Sequence, residues 1–82
     1  MYVLIISFTL EFIGMRNNVK SSRRVKKLSQ EALSELLGVS RQTIISIESG
    51  RYGPSTVLSL KIAKCLDKKV EELFELEKSD FE

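Results

Sequence analysis

The 82-residue chain contains no histidine, one cysteine and one proline. Histidine is the usual proton carrier near neutral pH and the commonest metal ligand, so its absence removes both uses. Cys65 stands alone, which permits neither an intramolecular disulfide nor a Cys-x-x-Cys metal site. It reads as a small apolar residue near the core, and one unpaired thiol fits a reducing cytoplasm. No glycine-rich phosphate loop and no nucleophile–base pair is present. Glu71 and Glu72 are adjacent and so diverge on a helix, as a solvated face would have them. These absences argue against an enzyme and imply no cofactor or metal. The length allows one small domain, for which dimerisation is a common supplement, and leaves no room for a separate ligand-sensing domain.

Acidic charge is missing from one stretch in particular. From Met15 to Lys27 the chain carries Arg16, Lys20, Arg23, Arg24, Lys26 and Lys27 with no Asp or Glu, although the net charge is only +2. The end of the chain, from Asp67 on, is mostly acidic. One end can approach a polyanion that the other would repel; two solvated helix faces account for the same pattern.

The first fourteen residues, MYVLIISFTLEFIG, differ from the rest. They fall short of the ~20 apolar residues that span a bilayer, so no membrane attachment is expected. They also lack the basic start and small-residue cleavage site of a signal peptide. Ser7, Thr9 and Glu11 alternate with Ile6, Phe8, Leu10 and Phe12, the period of a β-strand. No second strand is evident in the sequence. A lone apolar strand invites a partner, and the simplest is the same segment of another copy. Val3, Ile5, Ile6, Phe8, Leu10 and Phe12 are then the dimer interface. A disordered or helical segment, or an extension ahead of a start at Met15, fits the same residues.

Five helices follow. The first spans about Asn18 to Lys26, capped by Asn17 or Asn18. Ser29 caps the second, in which Ala32, Leu33, Leu36 and Leu37 form an apolar stripe, and Gly38 ends it. Ser40 caps the third, which runs to about Ser49 before Gly50. Ser55 caps the fourth, which reaches Leu66. The fifth covers about Val70 to Leu76, and the acidic tail 77–82 is expected to fray. Only three or four residues join the second and third helices, with glycine at the bend. That spacing is a helix-turn-helix, with Leu36, Leu37, Val39, Ile44 and Ile47 wedged between the two.

Successive 100° steps along the third helix bring Ile44 and Ile47 together, facing inward. Gln42, Ile45, Ser46 and Ser49 fall on the opposite side, with Arg41 at its edge. That face carries no acid; Glu48 falls at the core margin beside Ile44. Such a face can touch base edges in the major groove of double-stranded DNA without repelling phosphates. Arg41 suits guanine or a phosphate, and Gln42 suits adenine. Ser46 is short and adaptable, and Ile45, exposed and apolar, is expected to pack on a thymine methyl. Around the face, Gln30, Thr43, Ser49, Arg51 and Tyr52 are candidates for phosphate contacts, with Lys20 and Arg24 weaker ones.

The run LSQEALSELLGVSRQTIISIESGRYGPS, followed by LKIAKCL and VEELF, resembles the XRE family of phage-repressor-like and Cro-like regulators. The resemblance spans about Met15 to Leu76. It implies an all-α, five-helix lambda-repressor-like domain that binds operator DNA, usually as a homodimer, here with the N-terminal strand as an addition. By position it assigns base reading to Arg41, Gln42 and Ser46, with Thr43 close by. It matches Gln30 to a glutamine that contacts phosphate and braces the recognition helix. It also implies a structural ion pair of Arg23 with Glu48. Ser22 and Ser59 depart from the family's apolar residues, Lys27 from a common glycine, and Asp67, Lys68 and Lys69 from its usual cap before the last helix. The expected role is a DNA-binding repressor. The antitoxin of a toxin pair, and a protein-interaction module that has lost DNA binding, are the alternatives.

Overall fold

The computed structural model describes residues 16–81. Their order is β1 (Arg16–Asn17), α1 (Val19–Val25), α2 (Gln30–Leu37), α3 (Arg41–Glu48), α4 (Thr56–Leu66), α5 (Val70–Leu73), β2 (Phe74–Glu75) and a 3-10 turn at Lys78–Phe81. The expected strand at 2–12, with Val3, Ile5, Ile6, Phe8, Leu10 and Phe12, lies outside the described residues.

Serine side chains start three of the helices. Ser29, Ser40 and Ser55 Oγ accept from the backbone N–H of Ala32, Thr43 and Leu58 at 3.0–3.1 Å. Each satisfies a donor that the first turn leaves without a helical partner. At α1 the side chain of Asn17, rather than that of Asn18 in the cap position, accepts from Val19 N at 3.1 Å.

The first four helices also end alike. Lys27, Gly38, Gly50 and Asp67 all have φ between 57° and 79°. The N–H of each returns to the carbonyl three residues back, and the following N–H to the carbonyl five back: Gly38 to Glu35 and Val39 to Ser34, for example. This double closure satisfies the last carbonyls, and it requires a left-handed residue. Glycine adopts that conformation without a Cβ clash, whereas lysine at 27 does not. Lys27→Gly is therefore expected to stabilise the domain by about 1 kcal/mol. Thermal unfolding should register it as a rise of roughly 4–8 °C.

The core lies where α2, α3, α4 and α5 meet under α1. Val19, Leu33, Leu37, Ile44, Ile47, Ile62, Leu66 and Leu73 are essentially inaccessible. Ser22 and Ser59 are buried with them, at positions where the resemblance expects apolar side chains. Leu36 does not join the wedge: it is 60% exposed. Leu33 and Leu37, one helical turn apart, already occupy the inward line of α2, and Leu36 falls 100° from Leu37.

The last helix is shorter than its sequence suggests. It stops at Leu73, because Phe74 is extended (φ −122°, ψ 133°). Phe74 and Glu75 pair antiparallel with Asn17 and Arg16, so a second strand does exist. The Asn18 N–H takes the Leu73 carbonyl at 2.7 Å, and the extended backbone leaves the Phe74 ring buried. Within the acidic tail, Asp80 Oδ2 accepts from the Glu77 N–H at 2.6 Å, and Lys78–Phe81 form a 3-10 turn.

Candidate nucleic-acid interface

α2 and α3 form the largest helix–helix contact of the domain. Gly38 at φ 73° makes the corner, and Val39 packs against the core from the turn. Lys61 reaches from α4 and donates from Nζ to the Leu37 carbonyl at 2.8 Å, closing the end of α2. Asn17 Nδ2 donates to the Ile47 carbonyl at 2.8 Å, holding the last turn of α3 from the β1 side. Neither brace is signalled in the sequence, because each joins residues far apart in the chain and uses a polar side chain that reads as ordinary surface.

Ile44 and Ile47 point α3 into the core, so the rest of its surface is set. Arg41, Gln42 and Ser49 are exposed, and Thr43, Ser46 and Ile45 are half-buried. Ile45 thus differs from its expected exposure: it stands on the flank of the outward face, where a branched side chain lies partly against the domain. The side chain of Gln42 has no hydrogen-bond partner among the described residues, and its amide is open to solvent.

The only acid of α3 is turned away. Glu48 keeps 4% of its side-chain surface and pairs with Arg23, at 9%. Arg23 donates from Nε to Glu48 Oε2 at 2.6 Å, and from Nη2 to Oε1 at 3.3 Å. Its Nη1 donates to the Leu28 carbonyl at 2.8 Å. Gln30 Nε2 donates to Glu48 Oε1 at 3.1 Å, and Arg41 Nη2 lies 3.5 Å from Gln30 Oε1. A carboxylate only accepts and a guanidinium only donates, so these neighbours fix the orientation of the Gln30 amide. A continuous polar chain therefore runs from the buried arginine of α1, through α3 and α2, to the exposed Arg41.

The other sequence candidates lie on α3, in the loop after it and on α1. Thr43 Oγ1 is hydrogen-bonded to Ser40 Oγ at 2.9 Å, and Ser49 Oγ donates to the Ser46 carbonyl at 3.0 Å. Both hydroxyls are already engaged. Arg51 and Tyr52 are exposed in the loop after α3, and Lys20 and Arg24 are exposed on α1. Tyr52 folds back far enough to close a shallow cleft of about 200 Å³ with Ser40, Gln42, Thr43 and Ser46. Among the described residues no group of Cys, Asp and Glu side chains could hold a metal ion.

Residues 19–73 match the helix-turn-helix family model. The chain is 52% identical over 60 residues to an uncharacterised HTH-type transcriptional regulator of Methanocaldococcus jannaschii, covering 73% of this chain and 91% of that one. It is 47% identical over 66 residues to the uncharacterised HTH-type transcriptional regulator YgzD of Bacillus subtilis, covering 80% of this chain and all of the relative. Among solved structures, the restriction-modification controller protein C.AhdI of Aeromonas hydrophila superposes with a TM-score of 0.63 at 39% identity, covering 68% of this chain and 85% of that one.

Proposed function

The chain belongs to the helix-turn-helix family of DNA-binding transcriptional regulators and is not an enzyme; from that premise we propose that it is a repressor that occupies a palindromic operator as a homodimer, with α3 in the major groove. The observation that carries this reading is the acid-free outward face of α3, whose one carboxylate is buried against Arg23. Arg41, Gln42 and Ser46 read base edges in this scheme, and half-buried Ile45 supplies an apolar edge. Gln30, Thr43, Ser49, Arg51 and Tyr52 position the domain on phosphates, together with the first-turn N–H groups of α2. With the hydroxyls of Thr43 and Ser49 engaged locally, Arg51 is the strongest electrostatic contributor of this group. The apolar segment of Val3, Ile5, Ile6, Phe8, Leu10 and Phe12 joins the two copies. The unpaired thiol of Cys65 suits action in a reducing cytoplasm.

Selection of bound duplexes from a random pool tests the reading, run on the whole chain and on residues 15–82. The whole chain is expected to select inverted pairs of half-sites about 10 bp apart, and the shortened chain single half-sites. Affinity should fall linearly with salt on logarithmic axes, with a slope near −0.9 per phosphate neutralised. A pool that never enriches, or affinity indifferent to salt, would reject DNA binding. Inverted pairs selected by the shortened chain would reject the dimer role of the first segment.

A further inference from the structure

Resting on that reading, we infer that the cleft between Tyr52 and α3 receives the C5 methyl group of a pyrimidine next to the base read by Gln42. The position of the cleft suits such a group. It measures about 200 Å³ and opens on the outward side of α3, with Gln42 and Ser46 in its wall. A thymine presents its methyl on the major-groove edge of the base pair, the side a recognition helix faces.

The wall is uncharged, so it adds no cation to the phosphate contacts around it. Of its five residues, Ser40, Gln42, Thr43, Ser46 and Tyr52, none carries a charge. The Ser40 and Thr43 hydroxyls are hydrogen-bonded to each other, and Ser40 Oγ also accepts from the Thr43 N–H. Their polar atoms are therefore largely used, while the Thr43 methyl and the Tyr52 ring remain as apolar surface. Tyr52 is 44% exposed and makes no hydrogen bond among the described residues, so nothing there turns its ring away from the cleft. Ile45, the methyl contact suggested by the sequence, lies outside this wall and is half-buried on the flank.

Two bases carry such a methyl, thymine and 5-methylcytosine, and the test separates them. The probes are duplexes of the selected operator in which each thymine in turn is replaced by uracil, and each cytosine by 5-methylcytosine. At one position per half-site, loss of the thymine methyl is expected to weaken binding about fourfold, as for one methyl group returned to water. If that position is instead a cytosine, its methylation should strengthen binding by a similar factor. Tyr52→Ala should abolish the difference at that position. Tyr52→Phe should keep it, whatever the hydroxyl contributes to overall affinity, and Ile45→Ala should keep it too.

Duplexes bound equally with and without every methyl would overturn the inference and leave the regulator reading standing. The inference fails in the same way if Ile45→Ala, and not Tyr52→Ala, removes the difference. A methyl effect lost in Tyr52→Phe would also overturn it, since the hydroxyl and not the ring would then be responsible. A chain that selects no duplex at all would defeat the regulator reading and this inference together.

Discussion

Arg23→Ala is expected to destabilise the domain by about 3 kcal/mol. The guanidinium is almost wholly buried and meets the Glu48 carboxylate through two donors, with a third on the Leu28 carbonyl. Truncation removes the cation from a carboxylate whose side chain keeps only 4% of its surface in water in the parent. Among the described residues only the Gln30 amide would still donate to it. The lost interaction is therefore less important than the charge left behind. For a domain of this size, the midpoint should fall by roughly 12–24 °C in a thermal melt. The double replacement Arg23→Met with Glu48→Met is expected to recover much of this, because it removes both charges and keeps the volume. Salt should change the stability of the parent little through this pair, since buried pairs are poorly screened. A single variant that melts with the parent would refute the buried-charge account. The exposed pairs of Arg16 with Glu75 and Glu77 offer the contrast: at 3.8 and 3.3 Å in water they contribute little.

Arg41→Ala and Gln42→Ala should act in the opposite manner, changing DNA affinity and not the fold. Both residues are exposed, Gln42 has no partner among the described residues, and Arg41 has a single contact at the limit of hydrogen bonding. Their melts are expected to match the parent within about 0.5 kcal/mol. Each loses roughly 5- to 150-fold in affinity for the selected operator if it makes a bidentate base contact. Anisotropy titrations on the selected duplex, and on duplexes changed at one base pair, would measure this. A base-reading residue relaxes discrimination at one position when it is removed. A phosphate-binding residue instead lowers affinity for every sequence alike and reduces the salt slope by about 1. Arg41 suits either role, so this pattern assigns it; Gln42 is expected to show the first. If both variants bind the operator as tightly as the parent, α3 is not the reading element.

Gln30 links these two experiments. It donates to Glu48 and lies within reach of Arg41, so the buried pair and the exposed reader share one neighbour. Replacing Arg23 thus disturbs the support under Arg41 as well as the core. Replacing Arg41 leaves the buried end of the chain intact.

The short-range features of the domain were legible in its residues. Serine at 29, 40 and 55 specified three helix starts, because the capping bond spans only three positions. Gly38 and Gly50 specified two helix ends, because the left-handed closure depends on the residue that occupies it. The 100° advance per residue, which brings Ile44 and Ile47 to one side, fixed which side of α3 is buried, and with it which residues are offered outward. Tertiary contacts decided the rest. Phe74 and Glu75 became a strand because Arg16 and Asn17 were there to pair with them, a partnership across almost the whole domain. Leu36 stayed outside because its neighbours had filled the inward line, and Ile45 was half covered because it stands on a flank. Asn17 and Lys61 brace helix ends that lie far from them in the chain. Capping and periodicity act within one helical turn and can be read along the sequence, whereas strand pairing, flank burial and long-range braces exist only after the helices have been brought together.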